Sequence, residues 1–253
     1  MKKGLVLLLS LCGALAAGCT TNDTITKPDL ERAADLNLEI GIDYLRKNNL
    51  QQAKDKIDKS LEQNPRSAKA QSVAGMLYDR LGDTSKADSH FQRAVSLEPD
   101  NPEIKNNYAV YQCQKKRYDR GEKLALEAAQ NPLYKTPEIA LLNAGNCARG
   151  AGAMQRAEEN YRRALVVQPR FGEALFQMAD LEYEQKEYMS ARGFLERYLE
   201  VGRTSPATLW LGVRIERSLG NKAQAQHYAQ RLKSEYPSAA QTQALLESER
   251  NPG

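Results

Sequence analysis

Histidine, cysteine and strand-forming runs are all scarce in this chain. Two His and four Cys in 253 residues supply no metal-spaced cluster, and no Gly-rich phosphate loop or nucleophile elbow is present. His90 and His227 stand without a motif around them and read as packing or surface residues. The pairs Glu158–Glu159 and Glu182/Glu184 read as solvated helix faces rather than as catalytic acids in a cleft. The expectation is a protein that is not an enzyme, with no small-molecule substrate and no catalytic or metal site. Long Val/Ile/Thr runs are missing too, which argues against a sheet and for an all-α fold. Charge of one sign is nowhere concentrated. The formal net charge of +4 falls by two if Lys2 and Lys3 are removed, so nothing draws the chain toward nucleic acid. What remains is an ordinary globular composition, 41% hydrophobic and 27% charged.

The organised part begins with a period. From Ala68, the residues Gly75, Tyr78, Ala87, Phe91, Ala94 and Pro99 occupy positions 8, 11, 20, 24, 27 and 32 of a 34-residue unit. Small residues at 8, 20 and 27 let two antiparallel helices approach, bulky ones at 11 and 24 fill the space between them, and proline stops the second helix. The same frame starts near 34, with Gly41, Tyr44, Ala53, Ile57 and Pro65. It starts again near 102, in degenerate form with Ala109, Gly121, Ala125 and Ala128. Two inserted residues, Thr136 and Pro137, shift the next start to 138, and further units follow from 172 and 206. In the last, Val213 stands where a small residue is expected. This pattern resembles the tetratricopeptide (TPR) repeat. The resemblance implies a right-handed superhelical solenoid of six helix–turn–helix units over residues 31–238, with 239–253 a capping helix or tail.

At the amino terminus, Lys2–Lys3 precede an apolar run, Gly4 to Ala17, that is short for a membrane span and suits a secretory signal. It ends Leu15-Ala16-Ala17-Gly18-Cys19. This resembles the lipobox of bacterial lipoproteins, with Ala16 where Leu is usual. The resemblance implies a signal peptide at 1–18, a covalent lipid on Cys19 as the sole non-protein group, and a flexible tether over residues 19–30. Ordinary secretion after an A-x-A-like site is the alternative. Thr20, rather than Asp, follows the cysteine, which in that family implies the outer membrane and a periplasm-facing body.

Cys12 leaves with the signal, so Cys113 and Cys147 remain, on the first helices of adjacent repeats. In an oxidising compartment they are expected to form a disulfide, the alternative being two buried thiols. In TPR domains the groove is lined by positions 2, 5, 9, 12 and 13 of each first helix. That assigns Leu38, Ile42, Leu45, Met76, Asn106 and Val110 to an exposed partner-binding stripe. Phe176, Tyr183, Trp210, Arg214 and Arg217 form a second candidate groove. The alternative is that neighbouring helices cover these surfaces.

A lipobox, a tether and six such repeats in a chain of this length are together similar to the type IV pilus biogenesis/stability lipoproteins, the PilF/PilW pilotin family. The resemblance implies an outer-membrane lipoprotein whose partner is the pilus secretin and which promotes its assembly. A TPR lipoprotein adaptor of outer-membrane β-barrel assembly or of peptidoglycan synthesis is the rival reading.

Overall fold

The computed structural model describes residues 26–250, and every described element is an α-helix. The signal peptide, Cys19 and most of the expected tether lie outside these residues. Six antiparallel pairs follow one another: α1 (Lys27–Arg46) with α2 (Leu50–Gln63), α3 (Ala68–Arg80) with α4 (Thr84–Leu97), and α5 (Pro102–Gln114) with α6 (Tyr118–Gln130). Then come α7 (Pro137–Gly150) with α8 (Met154–Val167), α9 (Gly172–Glu184) with α10 (Tyr188–Leu199), and α11 (Pro206–Ser218) with α12 (Lys222–Glu235). A thirteenth, α13 (Ala240–Arg250), closes the array. Its Leu245 is fully buried against Leu209, Val213 and Leu232, so the tail is a capping helix.

Each pair turns through one residue in the left-handed region. These are Asn48, Gly82, Lys116, Gly152, Lys186 and Gly220, with φ between 60° and 80°. The turn is set by paired reverse bonds, as where Gly82 N–H donates to Asp79 C=O and Asp83 N–H to Tyr78 C=O. These satisfy carbonyls that the helix end would leave without partners. Glycine adopts that backbone freely, so three of the turns carry it. Asn48, Lys116 and Lys186 adopt it as well; asparagine reaches it readily, whereas the two lysines give no sign of it in the sequence.

Within a pair the contact is small against large. A Cβ on Gly41 or Gly75 would stand 2.7 Å from Ile57 or Phe91 respectively. In the last unit the partners are Gly212 and Tyr228, where a Cβ would come within 2.9 Å. Gly212, not Val213, therefore holds the small position. The final repeat begins one residue early, because its small and large partners keep the same sixteen-residue separation seen in the others. Two further expectations are corrected. The tether is shorter than predicted, since α1 already begins at Lys27. Thr26 N–H donates to Asp29 Oδ2 at 3.2 Å and Pro28 sits in the first turn, both helix-start features. Glu182 is buried rather than solvated, 4% exposed, and takes a 3.0 Å bond from Arg162.

First helices touch across repeats, α3 with α5, α5 with α7 and α11 with α13, while second helices have no comparable contact with one another. The array therefore bends with its first helices on the inner side. Its middle is unusually tight. Gly121, Ala125 and Ala128 give α6 a small-residue face that lets it pack as closely on α7 as on its own partner α5. Cys113 on α5 and Cys147 on α7 are joined as a disulfide beside Gly121, their Cα atoms 5.4 Å apart. Closing a loop of that 34-residue separation contributes about 3–4 kcal/mol through lost unfolded-state entropy.

Candidate functional site

The inner face is built from one residue of each first helix, the one directly after the small position in repeats one to five and two after it in the last. In chain order these are Ile42, Met76, Val110, Asn146, Asp180 and Arg214. Three apolar residues are followed by three polar or charged ones, so the concave surface has two chemically different halves.

In the first half, Met76 and Val110 line a recess of about 220 Å³ with Asn107, Tyr111, Asp79 and Arg80. Its floor is Phe91 and Tyr111, ring centroids 5.0 Å apart, with the buried Tyr108 ring packed on them at 5.3 and 6.1 Å. Its rim is charged. Lys115 Nζ lies 2.7 Å from Asp79, and this pairing holds the lysine above its ordinary range. Arg80 donates to the Leu45 carbonyl at 2.6 Å, tying the first repeat to the second. An apolar floor inside a polar rim suits one apolar side chain of an extended peptide, with amide and ionic groups at hand for its backbone.

The second half is held by guanidinium groups. Arg149 lies 2.7 Å from both Asp180 and Glu184 and donates to Gln177 Oε1 at 3.0 Å. Burial works against its charge, but the hydrogen bonds to Asp180 and Glu184 outweigh it and raise its pKa. Arg214 reaches Asp180 from the other side at 3.4 Å. Its guanidinium sits 4.6 Å from the Tyr183 ring centroid and 6.0 Å from that of Trp210, within cation–π range.

Several expected groove residues are elsewhere. Leu38 and Leu45 are 1% and 4% exposed and belong to the core with Ile57, Val73 and Leu77. Positions 5 and 12 of the first helix turn into the junction with α3, which leaves only Ile42 of that trio at the surface, half-buried. Asn106 is buried as well, and its Oδ1 accepts from Asn143 Nδ2 at 2.9 Å as a strut between repeats. Met76 and Val110 share the recess as the frame implies. Of the second group, Tyr183, Trp210 and Arg214 come together. Phe176 instead packs on Tyr198 and lines a separate recess of about 360 Å³ with Val201 and Thr208. Arg217 turns to α13, donating to Ser248 Oγ at 2.9 Å.

Sequence reasoning passed over Arg149 and Asp180, although the repeat frame places them at positions 12 and 9. Their charge, rather than apolar character, hid them. His90 is stacked on Tyr78 at 5.2 Å and its Nδ1–H donates to Gln71 Oε1 at 2.7 Å, a packing role. His227 is exposed beside Tyr228. Among the described residues no group of three His, Cys, Asp or Glu is placed to hold a metal ion. No helix among them is long and apolar enough to cross a membrane.

Models of the tetratricopeptide repeat match residues 38–87, 73–135 and 139–207, and another of the same description matches 207–239. The chain is 27% identical over 245 residues to the type IV pilus assembly protein PilF of Pseudomonas aeruginosa PAO1, covering 96% of this chain and 97% of that protein. Among solved structures it is similar to PilW, described as a widely conserved type IV pilus biogenesis factor. The TM-score there is 0.78 at 29% identity, over 84% of this chain and 98% of that one. The structure of P. aeruginosa PilF superimposes with a TM-score of 0.76 at 26% identity, over 87% and 99% of the two chains.

Proposed function

The chain belongs to the tetratricopeptide repeat family, and from that premise we propose that it is a non-enzymatic scaffold of type IV pilus biogenesis. In this reading it is an outer-membrane lipoprotein of the pilotin kind, anchored through Cys19, whose concave face binds an exposed segment of the pilus secretin. What carries the proposal is the two-part inner face over the whole chain: an apolar recess at Met76 and Val110 continued by the Arg149–Asp180–Arg214 lattice. The near full-length similarity to PilF supports the process. The groove supports a polypeptide as the thing held.

The physical steps are simple. Acyl chains confine the protein to a thin layer and raise its effective concentration near membrane-bound partners. The recess takes an apolar anchor from the secretin segment, and the polar half takes up its backbone and charges. While held, that segment is withheld from association with the wrong neighbours. Deletion of the gene is expected to abolish surface pili and secretin multimers while the general complement of outer-membrane β-barrels stays at its normal level, measured by semi-denaturing gels of outer membranes. A broad loss of barrel proteins would instead point to the barrel-assembly role.

A further inference from the structure

All first helices start, and all second helices end, on one edge of the solenoid, the edge of the turns between repeats. There Lys27 and Leu30 of α1 face Asn64 and Pro65 after α2. The turns are tied to one another along it. Asn131 Nδ2 donates to Asp100 C=O at 2.8 Å, Arg197 to Pro169 C=O at 3.0 Å, and Tyr236 O–H to Thr204 C=O at 2.6 Å. Most of the large apolar side chains exposed among the described residues lie here. Leu30, Leu133, Ile139, Val166 and Val167 lie on this edge, against Leu81 and Met189 on the opposite one and Leu36 midway along α1. Leu133 and Val166 are 82% and 81% exposed. Lys135 and Arg170 beside them are exposed, on an edge that also carries the carboxylates of Glu103 and Glu138 close to Tyr134.

The chain enters the fold at this same edge. Cys19 lies seven residues before Thr26, which caps the start of α1. Even fully extended, those residues reach about 25 Å. A lipid on Cys19 therefore keeps the start of α1, and the edge it belongs to, within that reach of the bilayer.

We propose that the inter-repeat edge is a docking surface for the phospholipid bilayer. Leu133 and the Val166–Val167 pair sit in the headgroup region, and Lys135 and Arg170 lie among the lipid phosphates. Apolar burial and cation–phosphate attraction add to the lipid's hold. The solenoid then rests on its edge, and its groove opens sideways along the membrane surface rather than away from it. The inference rests on the anchoring of Cys19 in the reading above.

The test uses the full-length protein, processed in cells, purified and reconstituted into phosphatidylethanolamine–phosphatidylglycerol vesicles containing a headgroup-nitroxide lipid. Four variants, Leu133→Cys, Val166→Cys, Leu81→Cys and Met189→Cys, each carry an environment-sensitive fluorophore, and intact mass reports the lipid on Cys19. Circular dichroism melting checks that each remains folded. Fluorescence is expected to be lost at 133 and 166 and kept at 81 and 189. With the acyl mass present, unquenched labels at 133 and 166, or equal quenching at all four, overturn the orientation alone. A mature chain without the acyl mass overturns the anchoring itself and the orientation with it.

Discussion

Gly121 and Gly193 both lie inside helices, yet their surroundings are opposite. A Cβ at Gly121 would collide with the Cys113 sulfur and stand 2.9 Å from the Ala109 carbonyl oxygen, whereas one at Gly193 meets nothing within 4 Å. Gly121→Ala is expected to cost about 1–3 kcal/mol through overpacking, and Gly193→Ala to stabilise by about 0.5–1 kcal/mol through helix propensity. The midpoint of urea unfolding should fall for the first and rise for the second. His90 gives a pH-dependent counterpart. Burial holds its imidazole below the ordinary value of 6.5, against the opposing pull of Asp58. The neutral ring is thus the one that fits, and its contribution is complete above the unfolded value and lost as pH falls through 6.5 toward the folded one. His90→Gln is expected to lose less stability than the wild type between neutral pH and mildly acid pH, read as the difference in melting temperature.

At the level of elements, stability is shared between neighbours, because each repeat buries its apolar face only on the next. The far end depends on α13, where Leu245 and Thr242 are buried and Lys233 meets Glu249 at 2.7 Å. Leu245→Ala is expected to cost about 2–4 kcal/mol as a core truncation. Hydrogen exchange should show the loss in α11 to α13 while α3 to α6 stay protected. The helix pairs themselves were legible in the sequence, because small and large residues sixteen apart are a contact requirement and recur wherever two helices close on each other. The start of α1 was less so. Thr26, Pro28 and Asp29 form a cap that the polar composition of the stretch concealed. The one-residue advance of the last repeat hid in the same way, since Ala225 and Pro237 stay in the original frame while Gly212 and Tyr228 do not.

For the whole molecule, the frame located the inner face but not which of its residues reach the surface. A repeat position says which helix a residue is on and roughly where it points; the packing of the next repeat decides whether it is covered. Leu38 and Leu45 are lost to the groove because α3 closes over them, and Asn106 because it is spent on Asn143. Met76 and Val110 stay open because the curvature draws first helices together below them and leaves the recess above. Substituting Leu38 or Leu45 would therefore report on folding, and the substitutions that report on binding are those at Met76 and Val110.

That distinction fixes the decisive measurement. A photo-crosslinking amino acid is placed at position 76 or 110 in the native envelope, and at exposed Met189 as the control. Crosslinked products are identified by mass spectrometry from wild-type and Val110→Asp or Met76→Asp backgrounds. A single secretin-derived peptide joined at 76 and 110, absent at 189 and lost when the other recess residue becomes Asp, is the result expected if the concave face holds the pilus machinery. Secretin captured equally from 189, or no polypeptide captured at 76 and 110 in cells that make pili, would contradict it.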